Sequence, residues 1–183
     1  MVTRATILSA VAALACALSI GSNVSAHGDL SGEEAAWLTA HNDARQEFGT
    51  APLQWSDKLT REAEQWARQL ARENTMRHSR PEDRGRTGES LWMGTSGYFH
   101  PAQMIGFFVE EQRYFQAGRF PDVSRTGNWA DVGHYTQIVW ADTREVGCAK
   151  ASNGRNDVLV CRYYPGGNVL GEVIAPQRKV ARR

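Results

Sequence analysis

Apolar side chains recur at helical spacing through the first half of the chain. Trp37, His41, Ala44 and Phe48 lie three and four positions apart, and Gly49 closes the run. Ser31 followed by Glu34 is a capping box, which places the helix start. Ser56 can cap a second helix whose apolar face is Leu59, Ala63, Trp66, Ala67 and Leu70. Residues 76–97 are polar and irregular, with Pro81 and several glycines, and read as a long loop of the kind that often carries function. Pro101 suits the first turn of a third helix, with Met104, Phe107, Phe108, Glu111, Tyr114 and Phe115 on one face. A second irregular stretch spans residues 116–131. Strand-like runs follow at 135–140, 145–151 and 158–164. Helices first and antiparallel strands afterwards predict an α+β domain.

The N-terminus changes where that domain begins. Arg4 is the only charged side chain before Asp29, residues 7–20 are apolar or small, and Val24-Ser25-Ala26 offers small residues where a signal peptidase cuts. That is a secretory signal over residues 1–26. The apolar run is shorter than the roughly 20 residues of a membrane span. An uncleaved anchor, or a lipoprotein acylated at Cys16, fits it less well. The expected destination is therefore extracellular or periplasmic, with no transmembrane segment in the mature form. Residues 27–176 remain as the folded domain and 177–183 as a basic tail containing Arg178, Lys179, Arg182 and Arg183. The whole chain has 21 basic and 20 acidic side chains. This balance argues against nucleic acid as the main partner.

Without Cys16, two cysteines are left. Cys148 and Cys161 sit in strand-like runs flanking Ser152-Asn153-Gly154-Arg155-Asn156, which is rich in hairpin-turn residues. A turn centred on Gly154-Arg155 sets Cys148 opposite Cys161, a suitable separation for a disulfide. The alternative is two buried free thiols, which an oxidising compartment disfavours.

Common catalytic signatures are absent: no Gly-x-Ser-x-Gly elbow, no His-Glu-x-x-His helix, no Walker loop and no dinucleotide-binding glycine pattern. Two residues still stand out. Glu111 falls on the aromatic face of the third helix, where a carboxylate needs a partner. His134 follows Gly133 and leads into the run at 135–140.

Longer motifs place these two residues in a family pattern. Gly133-His134-Tyr135-Thr136-Gln137-Ile138-Val139-Trp140 closely resembles a signature of the CAP superfamily, the cysteine-rich secretory, antigen 5 and pathogenesis-related class 1 proteins that share the SCP domain. Cys161-Arg162-Tyr163-Tyr164-Pro165-Gly166-Gly167-Asn168 resembles the second signature. His41-Asn42 with Arg45, Pro52-Leu53-x-Trp55, Trp66-Ala67 and Gly88-Glu89-Ser90-Leu91 resemble the remaining motifs in order. The resemblance implies a three-layer α-β-α sandwich with a central antiparallel sheet and a large open cleft. It also implies that His78, Glu89, Glu111 and His134 share that cleft. Phe108 stands where the family usually has Trp, and Ser90 where it has Asn. Plant members carry three disulfides, and this chain can form one. His41 reads as structural, while His27 and His100 match no role.

Two imidazoles suit zinc or another divalent metal, so His78 and His134 are the expected ligands, with the carboxylates orienting them from behind. The expected function is a monomeric module that binds a ligand such as a lipid or sterol, or an extracellular protein. The alternatives are a metal-assisted protease with Glu89 or Glu111 as general base, and a secreted effector with a vestigial cleft. Phe99, Phe107, Phe108, Tyr114, Phe115 and Phe120 could line an apolar pocket or simply fill the core.

Overall fold

The structure is a computed structural model describing residues 30–176. The expected signal at 1–26, His27 and the basic tail lie outside the described residues. The first helix, α1 (Gly32–Phe48), begins with the expected capping box: the Glu34 N–H donates to Ser31 Oγ and the Ser31 N–H to Glu34 Oε2. It ends at Gly49, whose φ of 96° is the left-handed conformation that glycine adopts without strain. After a short strand β1 (Gln54–Trp55) comes α2 (Asp57–Glu73), and Ser56 occupies its N-cap position without a side-chain cap bond. Its inward face is Leu59, Ala63, Ala67, Leu70 and Ala71.

Residues 76–97 differ from the loop expected of them. They contain a four-residue helix α3 (Pro81–Arg84) and an eight-residue strand β2 (Gly88–Thr95). Gly88, Glu89, Ser90 and Gly94 are poor strand formers on their own. Pairing with a later strand along all eight positions overrides that local preference. The third helix, α4 (Pro101–Val109), stops two residues before Glu111, which lies in a 3₁₀ turn at Glu110–Tyr114. A two-residue strand β3 (Gly118–Arg119) and a 3₁₀ turn at Trp129–Asp131 follow.

The expected strand at 135–140 is instead a helix, α5 (Gly133–Val139). Tyr, Thr, Ile, Val and Trp are strand formers by propensity, and Tyr135 to Val139 are all buried, so no polar alternation reveals the helical period. The other two strands form where expected, as β4 (Glu145–Ser152) and β5 (Asn156–Tyr164). A final pair joins β6 (Val173–Ile174) to β3.

The main sheet runs β1-β4-β5-β2. Its pairings are antiparallel except β1 with β4, which is parallel. Side chains along β5 alternate between two cores. Val158 and Val160 pack against Ala63, Ala67 and Leu70 of α2, whereas Leu159, Cys161 and Tyr163 join Trp37, Phe108, Tyr135 and Ile138 of α1, α4 and α5. This period-two division gives the α-β-α sandwich, and it explains why β5 is buried almost throughout. Cys148 and Cys161 are paired residues of β4 and β5 and are joined by a disulfide, as the hairpin register predicts. Among the described residues no helix is long and apolar enough to cross a membrane.

Candidate functional site

A cleft of about 730 Å³ opens between α3, the start of β2, α5 and the segment after β5. His78, Glu89 and His134 line it, and Glu111 stands behind His134. The four residues therefore form two histidine–carboxylate pairs.

The first pair is built on the irregular segment before α3. His78 Nδ1 lies 2.7 Å from Glu89 Oε1. The Glu89 side chain is completely buried while that of His78 is 56% exposed, so the carboxylate anchors and the imidazole presents. Glu89 also accepts from the Ser79 N–H at 3.0 Å and the Ser79 hydroxyl at 2.9 Å. Arg162 Nη2 contacts it from β5 at 3.1 Å, and Arg84 Nη1 at 3.4 Å. Burial alone would raise the carboxyl pKa. The His78 hydrogen bond, the Arg162 charge and the Ser79 donors outweigh it and hold Glu89 below the usual carboxylate range.

The second pair is built on the N-terminus of α5. Glu111 Oε2 accepts the backbone N–H groups of His134 at 2.9 Å and Tyr135 at 3.1 Å, two donors that a helix start leaves without intrahelical partners. Its Oε1 lies 2.6 Å from His134 Nδ1. One carboxylate thus caps the helix and orients the ring it carries. Phe108 stacks on that ring with centroids 4.5 Å apart and planes 20° from parallel, so the aromatic face expected of α4 does meet the site.

Carboxylates only accept hydrogen bonds, so each pair places the proton on Nδ1 and leaves Nε2 as the nitrogen available to a ligand. Among the described residues these four do not bring three ligand atoms within 4.8 Å of one another. The set that does is His41, Cys148 and Cys161, whose cysteines are already bonded together. His41 is structural, as expected. It is fully buried, its Nδ1–H donates to the Trp37 carbonyl, its Nε2 accepts from the Tyr163 hydroxyl, and burial lowers its pKa to about 4. His100 sits at the N-cap position of α4.

The six aromatics that could line a pocket or fill the core divide mainly toward the core. Phe120 lines the cleft, but Phe108 and Phe115 belong to the core. Phe99 and Phe107 pack on Trp92, and Tyr114 is exposed beside Arg113. The inward face of α4 is Met104, Ile105 and Phe108, and the helix ends before Tyr114 and Phe115 could continue it. The cleft's exposed apolar surface comes instead from Trp129 and Leu170, and its cations are the half-buried Arg84 and the exposed Arg86. These residues lie in helical pieces of three or four residues and in irregular segments, where no periodicity marks a common face.

The comparisons agree with the fold. The family model of the cysteine-rich secretory protein family, CAP, matches residues 38–163. Pathogenesis-related protein 1C of Nicotiana tabacum is 34% identical over 137 residues, covering 74% of this chain and 77% of its own. Golgi-associated plant pathogenesis-related protein 1 of Homo sapiens is also 34% identical over 137 residues, covering 74% and 84%. Among solved structures, BmVAL-1 superposes with a TM-score of 0.67 at 24% identity, covering 81% of this chain and 84% of that one. The crystal structure of NaASP2 with Zn2+ gives 0.65 at 22%, covering 80% and 87%. The motif order, the sandwich and these matches together show that the chain belongs to the cysteine-rich secretory protein family, the CAP superfamily.

Proposed function

We propose that this chain is an exported binding module whose cleft holds a divalent metal such as zinc through Nε2 of His78 and His134 and captures a ligand beside it. The observation carrying this reading is the paired arrangement: each imidazole has Nδ1 tied to a carboxylate, which leaves the other nitrogen for the cleft. Carboxylate-oriented histidines are the usual design behind zinc ligands. Two ring nitrogens are fewer than a closed structural zinc site uses, so water or a captured ligand would complete the coordination. A bound ion would supply Lewis acidity and a fixed positive charge; the protein's own contribution is orientation and a sheltered concavity. The disulfide and the expected N-terminal signal both suit work outside the cytoplasm.

A hydrolase would need a carboxylate free to take a proton from water. Glu89 is buried and surrounded by donors, and Glu111 accepts two backbone N–H groups as well as the imidazole. Both serve better as positioning residues than as bases, which favours binding over catalysis. Native mass spectrometry of protein purified without chelator tests the proposal. Retained zinc or a retained small molecule supports it; bare protein that also takes up no added zinc and no lipid would remove it.

A further inference from the structure

We infer that the chain carries a second binding site, for one neutral sugar ring, in a pocket between α2 and residues 79–83. This goes beyond the cleft and does not depend on what the cleft holds. The pocket has a volume of about 250 Å³. Glu89 separates it from the cleft: Oε1 contacts His78, whereas Oε2 contacts Ser79 Oγ and Arg162 Nη2, which belong to the pocket. The opposite wall is one face of α2, where Glu62, Gln65, Trp66 and Gln69 follow at helical spacing.

The observation that points to a ligand is Arg162. Its side chain is 5% exposed and lies in the pocket wall, and its Nε and Nη1 have no hydrogen-bond partner among the described residues. Buried N–H groups left unpaired cost free energy that an acceptor entering the pocket would recover. The rest of the lining says which acceptor. Glu62 and Asp83 bring carboxylates close enough to act on the Arg162 charge, and Glu89 already balances that charge from behind. An anion would meet these carboxylates crowded around one guanidinium. A cation would leave both Arg162 N–H groups unsatisfied. A hydroxyl serves both sides, because it accepts from a guanidinium and donates to a carboxylate or an amide oxygen. Gln69 gives its amide N–H to Glu73, which leaves its Oε1 as such an acceptor. Trp66 supplies ring carbon. Its Nε1–H is donated to the Arg77 carbonyl at 3.2 Å, and the Arg77 guanidinium stacks over the ring at 4.7 Å, which fixes its position. Hydroxyls along the edge and C–H groups across the face are the chemistry of a pyranose. The volume falls just below the roughly 300–1,000 Å³ of pockets for drug-sized molecules, so it suits one ring rather than a longer chain.

The test is a heteronuclear NMR titration read at the Trp66 indole N–H. The probes are glucose, mannose, galactose and N-acetylglucosamine, each as free sugar and as methyl glycoside. Glycine, sulfate and methylguanidinium are the zwitterionic, anionic and cationic controls. The wild-type chain is compared with Glu62→Ala and Gln69→Ala, both half-buried positions, because Arg162→Lys would also disturb Glu89. Circular dichroism checks that the variants fold. At least one sugar should bind with a Kd near or below about 1 mM, and at least about tenfold more tightly than any control. Each variant should weaken that binding by about tenfold, the effect of losing one hydrogen bond to a charged or buried group. Equal binding of a free sugar and its methyl glycoside assigns the site to the end of a glycan. Binding of the free sugar alone assigns it to free sugars, and both results uphold the inference. No shift with any sugar, a control that binds as tightly as the best sugar, or undiminished binding in Glu62→Ala overturns it. A His78→Ala, His134→Ala variant should keep the sugar site. Loss of sugar binding there would place it in the cleft and overturn the inference as well.

Discussion

Replacing Glu89 with Gln probes the most heavily satisfied group in the cleft. The substitution keeps the side chain's shape and removes its charge. In the folded chain that charge faces Arg162, whose side chain is 5% exposed and whose Nε and Nη1 already have no hydrogen-bond partner. Removing one member of a buried ion pair typically costs about 3–5 kcal/mol, because the other charge stays buried without compensation. The His78 contact adds little, since that ring is 56% exposed and screened by water. Gln can still accept one hydrogen bond, which moves the expectation to the lower end, about 3 kcal/mol. For a domain of this size that corresponds to a fall in Tm of roughly 6–12 °C. The pH dependence has a definite sign. The folded pKa of Glu89 is depressed, so its contribution is present above the unfolded value, about 4.3, and is lost as pH falls through the lower folded value. Urea unfolding at pH 7 and again near pH 3 should therefore show a large gap between wild type and Glu89→Gln that narrows in acid. A gap below about 0.5 kcal/mol at pH 7, the range of an ordinary surface substitution, would refute the reasoning.

Two further outcomes concern the scaffold. Thiol labelling of the denatured, unreduced chain should find Cys148 and Cys161 blocked, and their double replacement by Ser should cost about 2–3 kcal/mol in urea unfolding, because the closed loop spans a separation of 13 residues. Full labelling would contradict the bridge. Arg45 is completely buried and donates to the carbonyls of Ala51, Ile138, Trp140 and Thr143, with its pKa lowered to about 10 by burial. Arg45→Met should lose at least about 4 kcal/mol by leaving those acceptors unpaired, and a Met variant as stable as wild type would show that the carbonyls find water instead.

The helices α1 and α2 were legible from periodicity and caps, because each buries one stripe and exposes the rest. The β4–β5 hairpin was legible because its turn residues fix the register that sets Cys148 against Cys161. Strand β2 was not. Gly88 and Gly94 are there for space, since a Cβ at Gly88 would lie 2.0 Å from Gln137 Oε1 and one at Gly94 2.4 Å from the Trp92 ring. Those constraints come from residues far away or from side-chain packing, and no local pattern records them. Helix α5 was missed for a similar reason: its first N–H groups are capped by Glu111, 23 and 24 residues away. The family motifs, rather than any spacing, grouped His78, Glu89, Glu111 and His134, and the structure divides that group into two pairs. Arg162 belongs to the second family signature and supports Glu89 from β5. A buried arginine alternating with apolar neighbours on a strand was the available signal.

The most direct test of the account is zinc calorimetry on the wild-type chain and on a His78→Ala, His134→Ala double variant. Metal ligands must be deprotonated, so the wild type should show a site whose affinity falls as the pH is lowered, and the double variant should lose it. Zinc binding of undiminished affinity in the folded double variant would contradict the claim that these two imidazoles form the working surface of the cleft.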